Sequence, residues 1–213
     1  MKKFIVMAIA VLIALPSATM AQKTTIQRVT REKTYTTQTH SVSVWYQGEL
    51  SLGFATGGKL KEVDLDDNDT EFSKTDFSRP FIETVHGVRI TKYAFVGLGV
   101  GAQFLYGKDF PEYTDCDNWN TLLMPVFLNL KGYYPVNDTF APYITASLGA
   151  SPVLVADSSW NGELKGGLYC KVGAGLSYKK FMFDFGLMHQ ELIADKDWKL
   201  SNNSFYVNLG IKF

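Results

Sequence analysis

The order of the residues predicts an all-β fold: an eight-stranded antiparallel up-and-down transmembrane β-barrel. Three observations predict it. Apolar and polar side chains alternate with period two through eight segments of about ten residues, and two is the strand period. One of the two faces so defined carries no Lys, Arg, Asp or Glu. The connections between segments alternate short and long.

Composition narrows the field without deciding it. The 213 residues hold 21 Lys+Arg against 21 Asp+Glu, which excludes a nucleic-acid binder driven by bulk positive charge. Two Cys exclude a disulfide-stapled miniprotein and a multi-Cys zinc module. A mean hydropathy of −0.03 excludes a polytopic helical membrane protein. A soluble β-domain and a membrane barrel both remain.

Residues 1–21 read as a cleaved signal peptide. Lys2 and Lys3 form a basic head, residues 4–15 are unbroken apolar, and Thr19 and Ala21 supply the small residues of a cleavage site after Ala21. The run is too short for a helix spanning about 30 Å of hydrocarbon, which needs about 20 residues. Residues 22–44 are polar and Thr-rich, with no sustained apolar face. They are expected to be a loosely ordered periplasmic tail, with extra strand near 39–44.

The barrel is expected over 45–213. The first strand sets Tyr46, Leu50, Leu52 and Phe54 on one face and Gln47, Glu49, Ser51 and Gly53 on the other. The second, over 81–90, is the weakest. Placing Glu83 and Arg89 inward leaves Ile82, Thr84, His86, Val88 and Ile90 outward. The third alternates Val96, Leu98, Val100, Ala102 and Phe104 with Gly97, Gly99, Gly101 and Gln103. The fourth alternates Met124, Val126, Leu128 and Leu130 with Pro125, Phe127, Asn129 and Lys131. The fifth opposes Ile144, Ala146 and Leu148 to Tyr143, Thr145 and Ser147. The sixth opposes Leu168, Cys170, Val172, Ala174 and Leu176 to Lys171, Gly173, Gly175 and Ser177. The seventh opposes Phe181, Phe183, Phe185 and Leu187 to Met182, Asp184 and Gly186. The last opposes Phe205, Val207, Leu209, Ile211 and Phe213 to Tyr206, Asn208, Gly210 and Lys212.

Tight connections at Thr91-Lys92, 135–138 and Lys179-Lys180 alternate with long ones at 56–80, 107–120, 151–166 and 191–203. Short turns at one end and long loops at the other are the pattern of bacterial outer-membrane barrels. A soluble sandwich or lipocalin-like barrel would also alternate, but with its apolar face inside. Here the polar face mixes glycines with Glu49, Glu83, Arg89, Lys131, Lys171 and Asp184, as suits a narrow interior of paired charges. The uncharged face is what lipid requires, since Arg or Lys near mid-bilayer costs about 2–4 kcal/mol.

The chain ends in an alternating strand closing on Phe213, which resembles the C-terminal signal read by the outer-membrane barrel assembly machinery. That signal would comprise Phe205, Val207, Leu209, Ile211 and Phe213. The stretches YQGELSLGFA (46–55), ETVHGVRITKYAFVGLGVG (83–101) and LMPVFLNLKGYY (123–134) resemble small porin-like, OmpA/OmpX-type barrels of Bacteroidota. The resemblance implies location in the outer membrane of a Gram-negative cell. It implies contact with outer-membrane lipid and lipopolysaccharide, and no shared chemistry.

No catalytic, cofactor-binding or metal-ligating set is expected. The six lumen charges read as a structural plug, with a narrow ion path as the functional alternative. His189, with Glu191 close by and Ser158 or Ser159 on a loop, is the only group that invites a hydrolase reading. His40 lies in the tail and His86 in mid-strand. Asp64-Leu65-Asp66-Asp67-Asn68 resembles the start of a calcium loop but has Asp69 where glycine is needed and Thr75 where glutamate is needed. It reads as a solvated acidic loop. Trp119, Trp160 and Trp198 sit in three different long loops, as contacts for an extracellular protein or glycan or as rim anchors. Cys116 and Cys170 have conflicting expected directions, so no bridge is expected. The expected role is structural or surface-interacting, through the extracellular loops. A small passive porin-like channel is the first alternative and an outer-membrane hydrolase the second.

Overall fold

The computed structural model describes residues 24–26, 42–57, 60–64, 70–73, 77–108, 118–156, 164–194 and 198–213. Among them lie thirteen strands in one antiparallel sheet. They are β1 Thr24–Ile26, β2 Val42–Thr56, β3 Leu60–Asp64, β4 Thr70–Ser73, β5 Phe77–Ile90, β6 Ala94–Lys108, β7 Asn118–Leu123, β8 Val126–Tyr133, β9 Phe140–Ser151, β10 Val153–Ala156, β11 Leu164–Tyr178, β12 Phe181–Ala194 and β13 Trp198–Lys212. Each barrel strand pairs with the next in the order β2-β5-β6-β8-β9-β11-β12-β13. The last closes on the first, from Phe205↔Thr56 to Lys212↔Glu49. The result is a closed eight-stranded barrel, and closure leaves no long exposed strand edge among the described residues.

The strands run further than the alternation alone delimits. The first begins at Val42 rather than at residue 45, and β1 pairs with its start through Thr24↔Val44 and Ile26↔Val42. At the long-loop end, stretches expected as loops are partly strand. β3 and β4 form a hairpin laid against β13, β7 continues the β6 ladder, and β10 pairs with β7. Backbone N–H and C=O groups that leave the membrane still need partners, so the ladders continue outward. The breaks fall at prolines, which have no N–H to offer. Pro125 separates β7 from β8 and Pro152 separates β9 from β10. Their carbonyls still bridge the gap, accepting from Gly101 N (2.9 Å) and Met124 N (2.9 Å).

The short-turn end is built from local chemistry. Thr91 (φ 56°) and Lys179 (φ 53°) take left-handed backbone conformations that reverse the chain tightly. In the third turn, Asn137 Oδ1 accepts from Thr139 N (2.9 Å) and Phe140 N (2.8 Å), an Asx turn.

The two faces separate as the alternation requires. Outward on the eight strands stand Leu52 (67% exposed), Leu98 (68%), Ile144 (68%), Leu209 (64%) and many other large apolar side chains. A water-facing surface does not carry a continuous apolar band of this extent, so the soluble readings fall. About ten residues per strand at about 3.3 Å, tilted about 40°, give a band of about 25 Å, the height of a transmembrane barrel belt. Phe54, Phe104, Tyr178, Phe181, Phe205 and Phe213 stand exposed toward its margins. The weak second strand keeps the expected phase: Phe81, Glu83, Val85 and Arg89 point inward and are buried. Thr84 is outward by parity yet buried, with its hydroxyl donating to the Glu49 carbonyl (3.0 Å).

Inside, glycines on one strand receive aromatic rings from the next. A Cβ on Gly99 would stand 2.4 Å from the Phe127 ring, and one on Gly53 would stand 2.2 Å from the Phe81 ring. Only a residue without a side chain admits that approach. Gly99→Val should therefore cost about 1–3 kcal/mol through overpacking. The urea midpoint of the refolded barrel measures it, and an unchanged midpoint would refute the account.

Candidate functional site

The lumen holds nearly all the buried polarity among the described residues, layered from the short-turn end to the long-loop end. At the short-turn mouth, Arg89 lies over the Tyr133 ring, 3.9 Å from its centroid. It donates to Gln47 Oε1 (3.2 Å) and to the Lys92 carbonyl (2.9 Å). Gln47 Nε2 in turn donates to Glu49 Oε1 (2.8 Å). Lys212 donates to Ser177 Oγ (2.5 Å) beside this layer.

Two ion pairs cross the barrel above it. Lys131 pairs with Glu49, and Lys171 pairs with Glu83. Each ammonium is also framed by aromatic rings. Lys131 stands 5.1 Å from the Tyr143 centroid, and Lys171 stands 5.2 Å from those of Phe81 and Tyr206. Tyr169 OH donates to the second oxygen of the Glu83 carboxylate (2.7 Å). Desolvated charges need such complete coordination, because a buried charge without a partner costs several kcal/mol.

Asp184 lies between the two pairs. It accepts from Tyr143 OH (2.9 Å) and Asn208 Nδ2 (3.2 Å) rather than from a cation. The six charges singled out in the sequence thus divide into two ion pairs, an acid held by neutral donors, and Arg89 bound to carbonyl oxygens. Around Glu49, Glu83, Asn129, Lys131, Lys171 and Asp184 a void of about 10 Å³ is left, room for about one water.

At the long-loop end, Arg79 is fully buried. Its Nη2 donates to Asn202 Oδ1 (2.5 Å) and to Ser204 Oγ. The sequence reading misses it by starting the second strand at residue 81. The signal was present: 79 has the parity of 81, 83 and 89.

On the outer surface, His86 is satisfied within the band by Tyr46 OH (2.5 Å) and Thr84 Oγ1 (3.1 Å). The Phe213 ring meets its edge, with centroids 6.3 Å apart. Phe213 also exchanges two backbone hydrogen bonds with Gly48, at 2.8 and 2.9 Å, which seals the terminal strand against the first. Phe205, Val207, Leu209, Ile211 and Phe213 all face outward in one row.

A family model described as "Outer membrane protein beta-barrel domain" matches residues 8–213. The chain belongs to that family. The barrel is similar to Neisserial surface protein A at 14% identity, covering 79% of this chain and 97% of that one, with a TM-score of 0.44. It is also similar to OprG from Pseudomonas aeruginosa (15% identity, 78% and 95% covered, TM-score 0.47). A third likeness is to the outer-membrane enzyme PagL (12%, 74% and 97%, TM-score 0.48). No curated protein sequence matches.

The barrel's rim histidine is engaged on both ring nitrogens. His189 Nδ1 meets Asn203 Oδ1 (2.7 Å), and Nε2 meets Glu191 Oε1 (3.4 Å). A serine nucleophile needs one of those nitrogens for its proton. Cys170 is a free thiol on the outward face of β11. Cys116, Ser158, Ser159, Trp160, His40, Thr75, the acidic run 65–69 and the leader 1–21 lie outside the described residues, as do the side chains of Trp119 and Trp198.

Proposed function

We propose that this barrel is a non-enzymatic outer-membrane protein with a structural and surface-interaction role, its lumen a plug and its long-loop end the working surface. The observation that carries this is the filled lumen. Two aromatic-framed ion pairs span it and leave room for about one water between them. A passive channel needs a continuous aqueous path, and the Lys131–Glu49 and Lys171–Glu83 pairs lie across it. Glu191 holds one ring nitrogen of His189, as a triad acid would, but Asn203 Oδ1 occupies the other, where a serine hydroxyl would be needed, and this speaks against the hydrolase alternative.

The rest of the reading follows from location. The leader is cut after Ala21, and the assembly machinery reads the row from Phe205 to Phe213. The band contacts outer-membrane lipid and lipopolysaccharide, and the loops meet an extracellular protein or glycan. The ladders that continue beyond the band, β3 with β4 and β7 with β10, hold that end of the barrel as a β-structured crown.

Refolded mature chain, checked by its heat-modifiable gel band, should be electrically silent in a planar bilayer. Steady ion-selective openings from a folded barrel would overturn the plug and make the lumen charges a conduction path.

A further inference from the structure

Asp184 stands apart from the other two lumen acids. Glu49 and Glu83 each hold a lysine, whereas Asp184 accepts from the neutral Tyr143 and Asn208. Both of these donors go to Oδ2, so neither is spent on Oδ1. Asp184 also lines the void of about 10 Å³, and so do Asn129 and Asn208. All three side chains are at most 6% exposed.

The two amides each leave an oxygen over. Asn129 Oδ1 and Asn208 Oδ1 are buried and have no hydrogen-bond partner. Their orientations are fixed by what the nitrogens do. Asn129 Nδ2 donates to Ser147 Oγ (2.9 Å), Thr145 Oγ1 (3.1 Å) and the Ala146 carbonyl (3.4 Å), and Asn208 Nδ2 donates to Asp184. Turning either amide end for end would set its oxygen against a carbonyl or a carboxylate. Two orphaned oxygens and a carboxylate around one small space call for a donor or a cation.

Charge decides between the two. The void is lined by three carboxylates against two ammoniums, one negative charge in excess. Both ammoniums are engaged by Glu49 and Glu83. Arg89 is held at the short-turn mouth by carbonyl oxygens and does not line the void. A water would satisfy the two oxygens but bring no charge, and an unbalanced carboxylate in a dry interior is costly. Size then limits the ion, since the void has room for about one water. Mg²⁺ keeps several waters and Ca²⁺ takes about six to eight oxygens, so neither fits. A bare monovalent ion does, with carbonyl and carboxylate oxygens in place of its water shell.

We propose that this void is a site for one bare alkali-metal cation, sodium or potassium, held by Asp184 and the amide oxygens of Asn129 and Asn208. The ion neutralises the layer between the two ion pairs. The test reads stability and not current, so its failure leaves the plug reading standing.

The full mature chain, refolded in detergent, is melted through its heat-modifiable transition in sodium, potassium or tetramethylammonium chloride at matched ionic strength. Tetramethylammonium is too large for the void. Wild type should melt a few degrees higher in sodium or potassium chloride than in the tetramethylammonium salt, and the gain should saturate. Asp184→Asn keeps the shape and an oxygen for Tyr143 and Asn208 but loses the charge. It should lose the difference and melt at or above wild type in tetramethylammonium chloride. Should it fail to fold, Asn129→Leu decides, because it removes one oxygen of the site and keeps the carboxylate. There the difference should shrink to less than about half. Equal wild-type midpoints in the three salts would mean that water alone fills the void and would overturn the proposal. A difference undiminished in Asp184→Asn or in Asn129→Leu would overturn it as well.

Discussion

Lys171→Met should lower the unfolding free energy of the barrel by about 3–5 kcal/mol, the largest loss expected from any single lumen substitution. The mechanism is the charge left behind. Lys171 and Glu83 are both almost fully buried, and Lys171 sits among the Phe81, Phe127 and Tyr206 rings. Methionine fills much of the lysine's volume, so little packing is lost. Among the described residues, however, the Glu83 carboxylate keeps only the hydroxyl of Tyr169. The double variant Glu83→Gln with Lys171→Met should recover most of the loss, since replacing both partners of a buried pair by neutral groups is often close to neutral. Urea unfolding of the refolded barrel, followed by tryptophan fluorescence, measures both. A double variant as unstable as the single one would show that shape, not charge, makes this layer stable.

Val172→Arg should cost about 2–4 kcal/mol, and here the cause is outside the barrel. Val172 lies between Ala146 and Leu187 on neighbouring strands, in the middle of the apolar band. Arginine there either buries its charge in hydrocarbon or distorts the bilayer to reach water. Thr56→Arg, outward at the long-loop margin of the band beside Phe205, should cost only about 0–1 kcal/mol. Refolding titrations into lipid vesicles give both values. Equal costs at the two positions would contradict the placement of the band.

The same physical split separates what the sequence tells from what it hides. Strand phase is legible because its consequence is binary: a side chain meets lipid or the lumen, and a shift of one residue would expose every charge. That is why even the weak strand through Glu83 and Arg89 could be phased. Strand ends are less legible, because pairing beyond the membrane follows backbone hydrogen bonding rather than polarity. Arg79 falls in that gap. Pro80 closes the long connection expected over 56–80, yet it interrupts the register only toward β6, while the ladder to β2 runs on through Phe54↔Pro80.

By itself the sequence determined the barrel class, the lipid face, the tight turns and six of the charges buried in the lumen, though not Arg79. All of these follow from local alternation and from the cost of charge in hydrocarbon. Which charge meets which partner was decided only by the closed barrel. Glu49 and Lys131 are 82 residues apart, and Glu83 and Lys171 are 88 apart. Nothing in either neighbourhood shows that they share a level, because strand stagger around the closed sheet sets the height of every inward side chain. The same stagger gives Asp184 a tyrosine and an asparagine instead of a lysine, and leaves Arg79 in a layer of neutral groups.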